Sequence, residues 1–302
     1  MTSAASSIAV GRARRRSPAR RRHSTPLTIA MLAALAYFLL PLFWLVVAST
    51  KSTQDLFTTF GLWFSRTPQL LANIGSTFAH DDGVFAHWLL NTVVYAVVSA
   101  FGAALLAAAG GYGFAKFRFR GDRAAFNLVL GAIMVPTTAL AIPTYLLFAK
   151  VELVNTPWAV ILPSLVSPFG LYLMRIYAQD AVPDSILEAA RIDGAGEAKI
   201  FFQIAMRLLA PGLVTVVLFT LVTTWNNYFL PLIMLNDPNL YPITVGLASW
   251  ASQAVGGGAG ANSNMLALVV TGSMLSVLPL VVAFLLLQRH WQSGLTTGGV
   301  KQ

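Results

Sequence analysis

Residues 183–211 read PDSILEAARIDGAGEAKIFFQIAMRLLAP and form the one long charged and amphipathic segment of an otherwise apolar chain. Long apolar runs lie on both sides of it. A charged island between such runs is typical of a loop at a membrane surface, where charged groups stay in water. The charged residues of the segment are Asp184, Glu188, Arg191, Asp193, Glu197, Lys199 and Arg207.

Two short helices are predicted within this charged segment. Ser185 and Glu188 have the spacing of an S-x-x-E capping box, which predicts that Ser185 caps a helix. Gly194 permits the left-handed turn that ends this helix. The pair of helices fits either a docking knob or a hairpin lying on the membrane, and the small Ala189 and Ala190 favour docking. The second helix begins near Gly196, and its apolar stripe is Ile200, Phe201, Ile204 and Leu208.

Composition indicates a membrane protein. The 302 residues are 56% hydrophobic and only 10% charged, whereas soluble domains have about 25% charged residues. The net charge of +9 depends largely on an arginine run in residues 12–22. Such a run beside an apolar span is an orientation signal or an anionic-lipid contact, and we expect no nucleic-acid partner. The absence of cysteine from the sequence excludes disulfides and thiolate metal sites.

Six apolar stretches are long enough to cross a bilayer. The first is too long for a cleaved signal peptide and is predicted to remain as a transmembrane helix. We predict an all-α membrane protein with six transmembrane helices, at residues 27–50, 88–114, 126–148, 158–176, 211–235 and 265–288. The corresponding organisation is a disordered tail (1–25), a first transmembrane helix (26–50), an outside loop (51–85), a five-helix core (86–288) with the charged loop at 184–211, and a C-terminal tail (289–302).

The basic residues predict the orientation of these spans. With six spans, 17 of the 20 Lys and Arg residues fall on the side of the N-terminal tail, and only Lys51, Arg66 and Lys150 fall on the other. Basic loops face the cytoplasm. Both termini and the charged segment are therefore predicted to be cytoplasmic.

The sequence offers no site for bond chemistry or for nucleotide hydrolysis. The glycine cluster at 110–116 lacks the G-x-x-x-x-G-K-[ST] spacing of a phosphate-binding loop. The four histidines are scattered, and the His80-Asp81-Asp82 run lacks further ligands, so no metal site is predicted. We predict a chain that is not an enzyme and binds no cofactor itself.

The membrane spans contain few ionisable groups. They include no Asp, Glu or Lys, and their one Arg, Arg175, lies near the end of the fourth span. Ion-coupled transporters place ionisable groups at membrane depth, so this pattern disfavours that class and favours an uncharged cargo. Polar side chains either face a pathway or bridge helices, and the sequence leaves both open. The candidates for a pathway are Asn91, Thr137, Ser167, Asn226 and Asn227.

Several motifs resemble one known family. Glu188-Ala189-Ala190, followed by Gly194 and then Ile204, is similar to the signature loop of the permease subunits of binding-protein-dependent ABC importers. The family continues this loop as Ile-x-Leu-Pro, whereas here Met206-Arg207 follows, so the second helix is expected to run on unbroken. Further stretches resemble the carbohydrate class and its maltose-type second permease: GGYGFAKFRFRG (110–121), MVPTTALAIPTYLLF (134–148), LVNTPWAVILPSLVSPFGLYLMR (153–175) and TTWNNYFLPLIML (223–235).

This resemblance implies a type I ABC importer permease in a bacterial inner membrane. Its partners would be a second, unlike permease chain, two ATP-binding subunits that use ATP and Mg²⁺, and an extracytoplasmic solute-binding protein. The cargo would be a sugar, and the alternatives are a phosphorylated polyol or, outside the family, an ion-coupled secondary transporter. The charged segment would carry a coupling helix that docks on an ATPase through Glu188, Ala189, Ala190, Arg191, Asp193 and Gly194.

Overall fold

The computed structural model describes residues 25–256 and 264–297, with side chains up to residue 288 in the last helix. The chain divides into two compact units, residues 1–43 and 44–302. The described part of the first unit is the beginning of helix α1, and its apolar side chains are exposed, as lipid-facing groups are. Of the predicted disordered tail (1–25), residues 1–24 lie outside the described residues, and Thr25 begins α1.

Helices account for every regular element among the described residues. The short π-helical segment Ile200–Ala205 joins α10 to α11 without a break. The α-helices are α1 (Thr25–Ser49), α2 (Thr53–Thr58), α3 (Leu70–Ala79), α4 (Val84–Lys116), α5 (Asp122–Ile133), α6 (Ala141–Lys150), α7 (Trp158–Leu165), α8 (Pro168–Ala181), α9 (Asp184–Ile192), α10 (Glu197–Lys199), α11 (Met206–Trp225), α12 (Phe229–Met234), α13 (Ile243–Gly256) and α14 (Met265–Thr297).

Five helical segments of the described chain are long and apolar enough to cross a membrane, and a bent pair of helices brings the number to six. The predicted all-α architecture with six spans is therefore confirmed when the bent pair counts as one span. The predicted loop 51–85 contains α2 and α3, and α14 extends helically to Thr297 beyond the predicted span end at residue 288.

The third predicted span, 126–148, is bent and is not one straight helix. Helices α5 and α6 meet at 101° rather than forming one rod. Pro136 lies at the break with ψ 127°, which is an extended conformation, and its ring nitrogen has no hydrogen to donate to a preceding carbonyl. Residues 131–140 are all exposed in the isolated chain, and Met134 is 86% exposed.

Two other predicted spans are also interrupted. The fourth breaks at Val166, where α7 ends, and Ser167 then caps α8 by accepting a hydrogen bond from the Gly170 N–H at 3.1 Å. The fifth ends at Trp225, and α12 starts only at Phe229. Irregular backbone at membrane depth occurs where protein or cavity water satisfies its polar groups. The breaks therefore indicate a protein-lined or water-lined region.

The core is organised around α4, which packs closely against α8 and α11. Ala96, Ala100, Ala104 and Ala108 recur every four residues on one face of α4, and each is buried. Small residues at this spacing let membrane helices approach closely. A Cβ at Gly111 would lie 2.6 Å from the backbone nitrogen of Arg175, so only glycine fits there.

Candidate functional site

Helix α9 carries most of the predicted docking residues. It begins at Asp184, after Pro183 in an extended conformation with ψ 135°. The predicted capping box is wrong, because the N-cap position is Pro183, whose side chain has no hydrogen-bond acceptor. Ser185 lies inside the first turn instead. Asp184 in that first turn places a negative charge near the positive end of the helix dipole.

An ion pair fixes the beginning of α9 to the end of α4. The Lys116 Nζ lies 2.8 Å from the Asp184 Oδ1. The Lys116 side chain is only 6% exposed, whereas that of Asp184 is 75% exposed. Each charge also lies at the helix end that favours it, since Lys116 is in the last turn of α4.

The ion pair also affects the titration of Asp184. The hydrogen bond from the Lys116 ammonium, together with its charge, lowers the pKa of the Asp184 carboxyl. Because this pKa is lowered in the folded chain, the contact stabilises the fold fully above the ordinary carboxyl pKa of about 3.9. The stabilisation is lost as the pH falls through the lowered value, so the contact persists at neutral pH.

The predicted left-handed turn after α9 is confirmed. Gly194 has φ +80°. The Gly194 N–H donates to the Arg191 carbonyl at 3.0 Å, and the Ala195 N–H donates to the Ala190 carbonyl at 2.9 Å. These two bonds form a Schellman motif, in which glycine takes the left-handed position without steric cost. The turn leads the chain directly into α10.

A second ion pair joins the end of α9 to the beginning of α10. The Arg191 Nε and Nη2 donate to the two carboxylate oxygens of Glu197 at 2.6 and 3.3 Å. From Glu197 the chain is helical to Trp225. The prediction that the second helix runs on through Met206-Arg207 is therefore confirmed, with the π-helical segment at its beginning.

One face of α9 is buried and the other is exposed. Leu187 is buried, and Ala190 is 8% exposed, so both belong to the core around α4 and α11. Ile192 is 86% exposed, although it is apolar. Ile192 was not among the predicted docking residues. An apolar residue that lies off the apolar stripe of an amphipathic helix is a sequence signal for an exposed contact, and Ile192 has that position. The exposed face carries the other predicted docking residues, Glu188, Ala189, Arg191, Asp193 and Gly194.

Asn91 bridges structural elements in this chain. Its Nδ2 donates to the Asn239 carbonyl at 2.6 Å and to the Tyr241 carbonyl at 3.2 Å. These bonds attach α4 to the segment before α13. The alternative that polar side chains join helices therefore describes the contacts of Asn91 in the isolated chain.

The other pathway candidates lie at breaks between helices. Thr137 is at the bend between α5 and α6, and Ser167 is at the break between α7 and α8. Asn226 and Asn227 follow the end of α11. The Asn226 Nδ2 donates to the Val222 carbonyl at 2.8 Å, and the Asn227 carbonyl accepts from Thr244 Oγ1 at 2.7 Å. Their positions at the breaks agree with a polar region but leave the pathway role a prediction.

No group of three or more His, Cys, Asp or Glu residues within the described ranges is arranged to hold a metal ion. The His80 Nε2 is 3.4 Å from an Asp81 carboxylate oxygen. Its ring centroid lies 5.2 Å from that of Trp250, in an edge arrangement. The described contacts of His80 are therefore those of a side chain packed at a turn.

Comparisons with known proteins identify the family. The family model described as "binding-protein-dependent transport system inner membrane component" matches residues 105–296. The solved structure of a bacterial ABC transporter involved in the import of the acidic polysaccharide alginate includes a chain similar to this one. That similarity has a TM-score of 0.75 at 22% identity and covers 90% of this chain and 99% of the other, which shows a shared fold.

Curated relatives are similar over nearly the whole chain. The arabinooligosaccharides transport system permease protein AraQ of Bacillus subtilis is 31% identical over 93% of this chain and 99% of that protein. AraQ of Halalkalibacterium halodurans is 33% identical over 90% of this chain and 94% of that protein. The lactose transport system permease protein LacG of Rhizobium radiobacter is 32% identical, with the same coverage. The chain therefore belongs to the binding-protein-dependent transport system inner membrane components, the multi-pass ABC importer permeases that work with a solute-binding protein and an ATPase.

Proposed function

We propose that this permease forms half of the translocation pathway for an oligosaccharide in an ATP-driven importer. The observation that carries the proposal is the extended similarity to permeases named for arabinooligosaccharides, for lactose and for melibiose, raffinose and stachyose. The scarcity of charge in the spans agrees with a neutral cargo. A phosphorylated polyol would need cations along the pathway, and the one arginine within the predicted spans, Arg175, packs instead over the Phe126 ring at 3.7 Å.

A second, unlike permease chain would supply the other half of the pathway. The bend between α5 and α6 exposes Met134 and Thr137 in the isolated chain. Irregular backbone is not stable against lipid, so a partner chain and cavity water would cover this bend. Transport would then follow alternating access, with the two permease chains rotating relative to each other as the ATPases close and open.

The coupling element in this proposal is α9, docked on one of two ATP-binding subunits. Glu188 would pair with a basic residue of that subunit, while Ala189 and the exposed Ile192 would lie against its surface. Because Leu187 is buried in the core around α4 and α11, a push on α9 would move those helices. ATP and Mg²⁺ would be bound by the partner subunit. This docking requires the charged segment and both termini to be cytoplasmic, as the basic residues predict.

The Lys116–Asp184 ion pair provides a test of this mechanical connection. Lys116→Asp is expected to lower uptake several-fold, because two carboxylates then repel each other where α4 meets α9. The double variant Lys116→Asp/Asp184→Lys is expected to recover much of the uptake. Arg120→Asp, an exposed charge reversal in the neighbouring loop, is the matched control and is expected to have little effect. Equal uptake in Lys116→Asp and the control would contradict a role for this pair.

The cargo is tested through the solute-binding protein that works with this permease. Its unfolding temperature is expected to rise with an oligosaccharide from a panel of arabino-oligosaccharides, lactose, raffinose and maltodextrins. Deletion of the permease should then abolish uptake of the same sugar by cells, and the wild-type chain should restore it. A shift with glycerol phosphate alone, with none for any sugar, would favour the phosphorylated-polyol alternative instead.

A further inference from the structure

The beginning of the outside loop contains a buried lysine, Lys51, that has no role in the transport mechanism proposed above. Lys51 is 1% exposed, and its Nζ donates to the Phe60 carbonyl at 2.8 Å. Within the described ranges, no carboxylate lies within ion-pair distance of this ammonium. An ammonium has three donors, and a buried charge is costly without an opposite charge. The position therefore favours an anion from outside the chain.

A small cavity adjoins this lysine. Its volume is about 150 Å³, which is room for several atoms, since a water molecule occupies about 30 Å³ of liquid. Trp44, which is 42% exposed, is in its wall, and its indole N–H is a hydrogen-bond donor. The cavity thus has two polar donor residues among apolar ones. It is lined by Trp44, Ala48, Lys51, Leu56, Phe57, Gly61, Leu266 and Val270.

The backbone around the cavity is held firmly. The Asn73 Nδ2 donates to the Ser49 carbonyl at 2.8 Å and to the Lys51 carbonyl at 2.9 Å. Asn73 is itself buried on α3. These bonds fix the Lys51 backbone directly after the end of α1, and the Phe60 carbonyl holds its ammonium. A preformed donor loses little conformational entropy when it binds a ligand.

The cavity lies where two membrane spans reach the interface. α1 ends at Ser49, and α14 begins at Met265. Exposed aromatic residues, Phe57, Phe60 and Trp63, surround this region as they do at membrane–water boundaries. A free hydrated anion suits a site with many polar groups, whereas these walls are mostly apolar. A phosphate that carries a diacylglycerol matches both the donors and the walls.

We propose that this cavity binds the phosphate of a membrane phospholipid, through the Lys51 ammonium and the Trp44 indole N–H. The glycerol and the first carbons of the acyl chains would lie against Leu56, Phe57 and Val270. In the orientation proposed above, the lipid comes from the outer leaflet. The lipid would tie the loop after α1 to the beginning of α14. This site is independent of which solute the importer carries.

The test uses the complete transporter complex in detergent after lipid removal. Dioctanoyl phosphatidylglycerol is added, bound lipid is counted by native mass spectrometry, and the unfolding temperature is recorded. The wild-type complex is expected to retain the lipid at this chain and to unfold at a higher temperature. Lys51→Met is expected to weaken that binding about tenfold or more, and Lys51→Arg is expected to keep it.

A second variant separates the lipid site from the stability of the loop. Gly61 lines the cavity, and a Cβ there meets only the Trp44 Nε1, at 3.9 Å, so Gly61→Leu is expected to fill the cavity while the lysine itself is retained. It is expected to abolish binding. Gly75→Leu, on α3 where a Cβ meets nothing within 4 Å, is the matched control and is expected to bind normally. Wild-type binding by both Lys51→Met and Gly61→Leu would overturn the proposal.

Two further ligands identify the group that is recognised. Dioctanoylglycerol, which lacks phosphate, is expected not to bind at this site. Its binding with the affinity of the phosphatidylglycerol would overturn the role assigned to the phosphate. Inorganic phosphate at millimolar concentration is expected to leave the unfolding temperature unchanged. A Lys51-dependent rise equal to that with lipid would overturn the lipid assignment in favour of a free phosphate site.

Discussion

Replacing Gly194 by proline is expected to abolish uptake while the chain still inserts into the membrane. Proline fixes φ near −65°, whereas Gly194 has φ +80°. Proline also removes the N–H that donates to the Arg191 carbonyl. The turn after α9 would open, and the exposed face of α9 could no longer take the orientation that the proposed docking on an ATPase requires. Uptake of labelled sugar by cells, with the membrane level of the chain measured by immunoblot, checks this expectation.

The matched control for this change is Gly196→Ala, two residues along the same turn. Gly196 has φ −71° and ψ 156°, which alanine adopts freely, and a Cβ there meets nothing within 4 Å. The control is expected to retain wild-type uptake. Near-normal uptake by Gly194→Pro would show that the geometry of this turn is not needed for coupling.

Glu188→Lys is expected to have an effect of similar size. Glu188 is exposed on α9, so reversing its charge changes the docking surface but little of the core. Against a basic partner, the reversal replaces attraction by repulsion, and both uptake and retention of the ATPase during purification should be lost. Glu188→Gln is expected to keep part of the activity, because it removes the attraction without adding repulsion.

The comparison variant for Glu188→Lys is Glu152→Lys, the same charge reversal at an exposed residue after α6. It lies away from the charged segment in sequence and is predicted to face the other side of the membrane. Uptake by this variant is expected to be normal. If Glu188→Lys retains both uptake and its ATPase, the docking role of Glu188 fails.

Local rules predicted the charged segment well. A glycine after a short amphipathic helix predicts a left-handed turn, and Gly194 forms one. Arg207, at the position where the family has proline, predicts a continuing helix, and the chain is helical from Glu197 to Trp225. The predicted capping box does not form because α9 begins at Asp184, one residue before Ser185. Pro183 therefore occupies the N-cap position that was predicted for Ser185.

The bend in the third span could not be predicted by such local rules. Hydropathy shows how many consecutive residues are apolar but does not show the direction in which the chain runs. Residues 126–148 were therefore predicted to cross the membrane as one span. Membrane helices often tolerate proline as a mild kink, and only tertiary packing decides whether the chain bends by 101°. Breaks at Ser167 and after Trp225 were hidden for the same reason.

Contacts between distant residues were also unpredictable. Lys116 and Asp184 are 68 positions apart, and no local pattern pairs them. Asn91 was predicted either to line a pathway or to bridge helices. Only the structure shows that it donates hydrogen bonds to the Asn239 and Tyr241 carbonyls. A polar side chain in a span has the same sequence signal in both cases. Its neighbours decide its contacts.

The most direct test of the central claim is transport by the reconstituted importer. This chain, with its partner permease and ATPases, is placed in liposomes with the solute-binding protein and labelled oligosaccharide outside. Accumulation is expected to require ATP inside, to continue when an uncoupler removes ion gradients, and to stop with Gly194→Pro. Accumulation without ATP that collapses with the uncoupler would contradict the account and indicate an ion-coupled transporter.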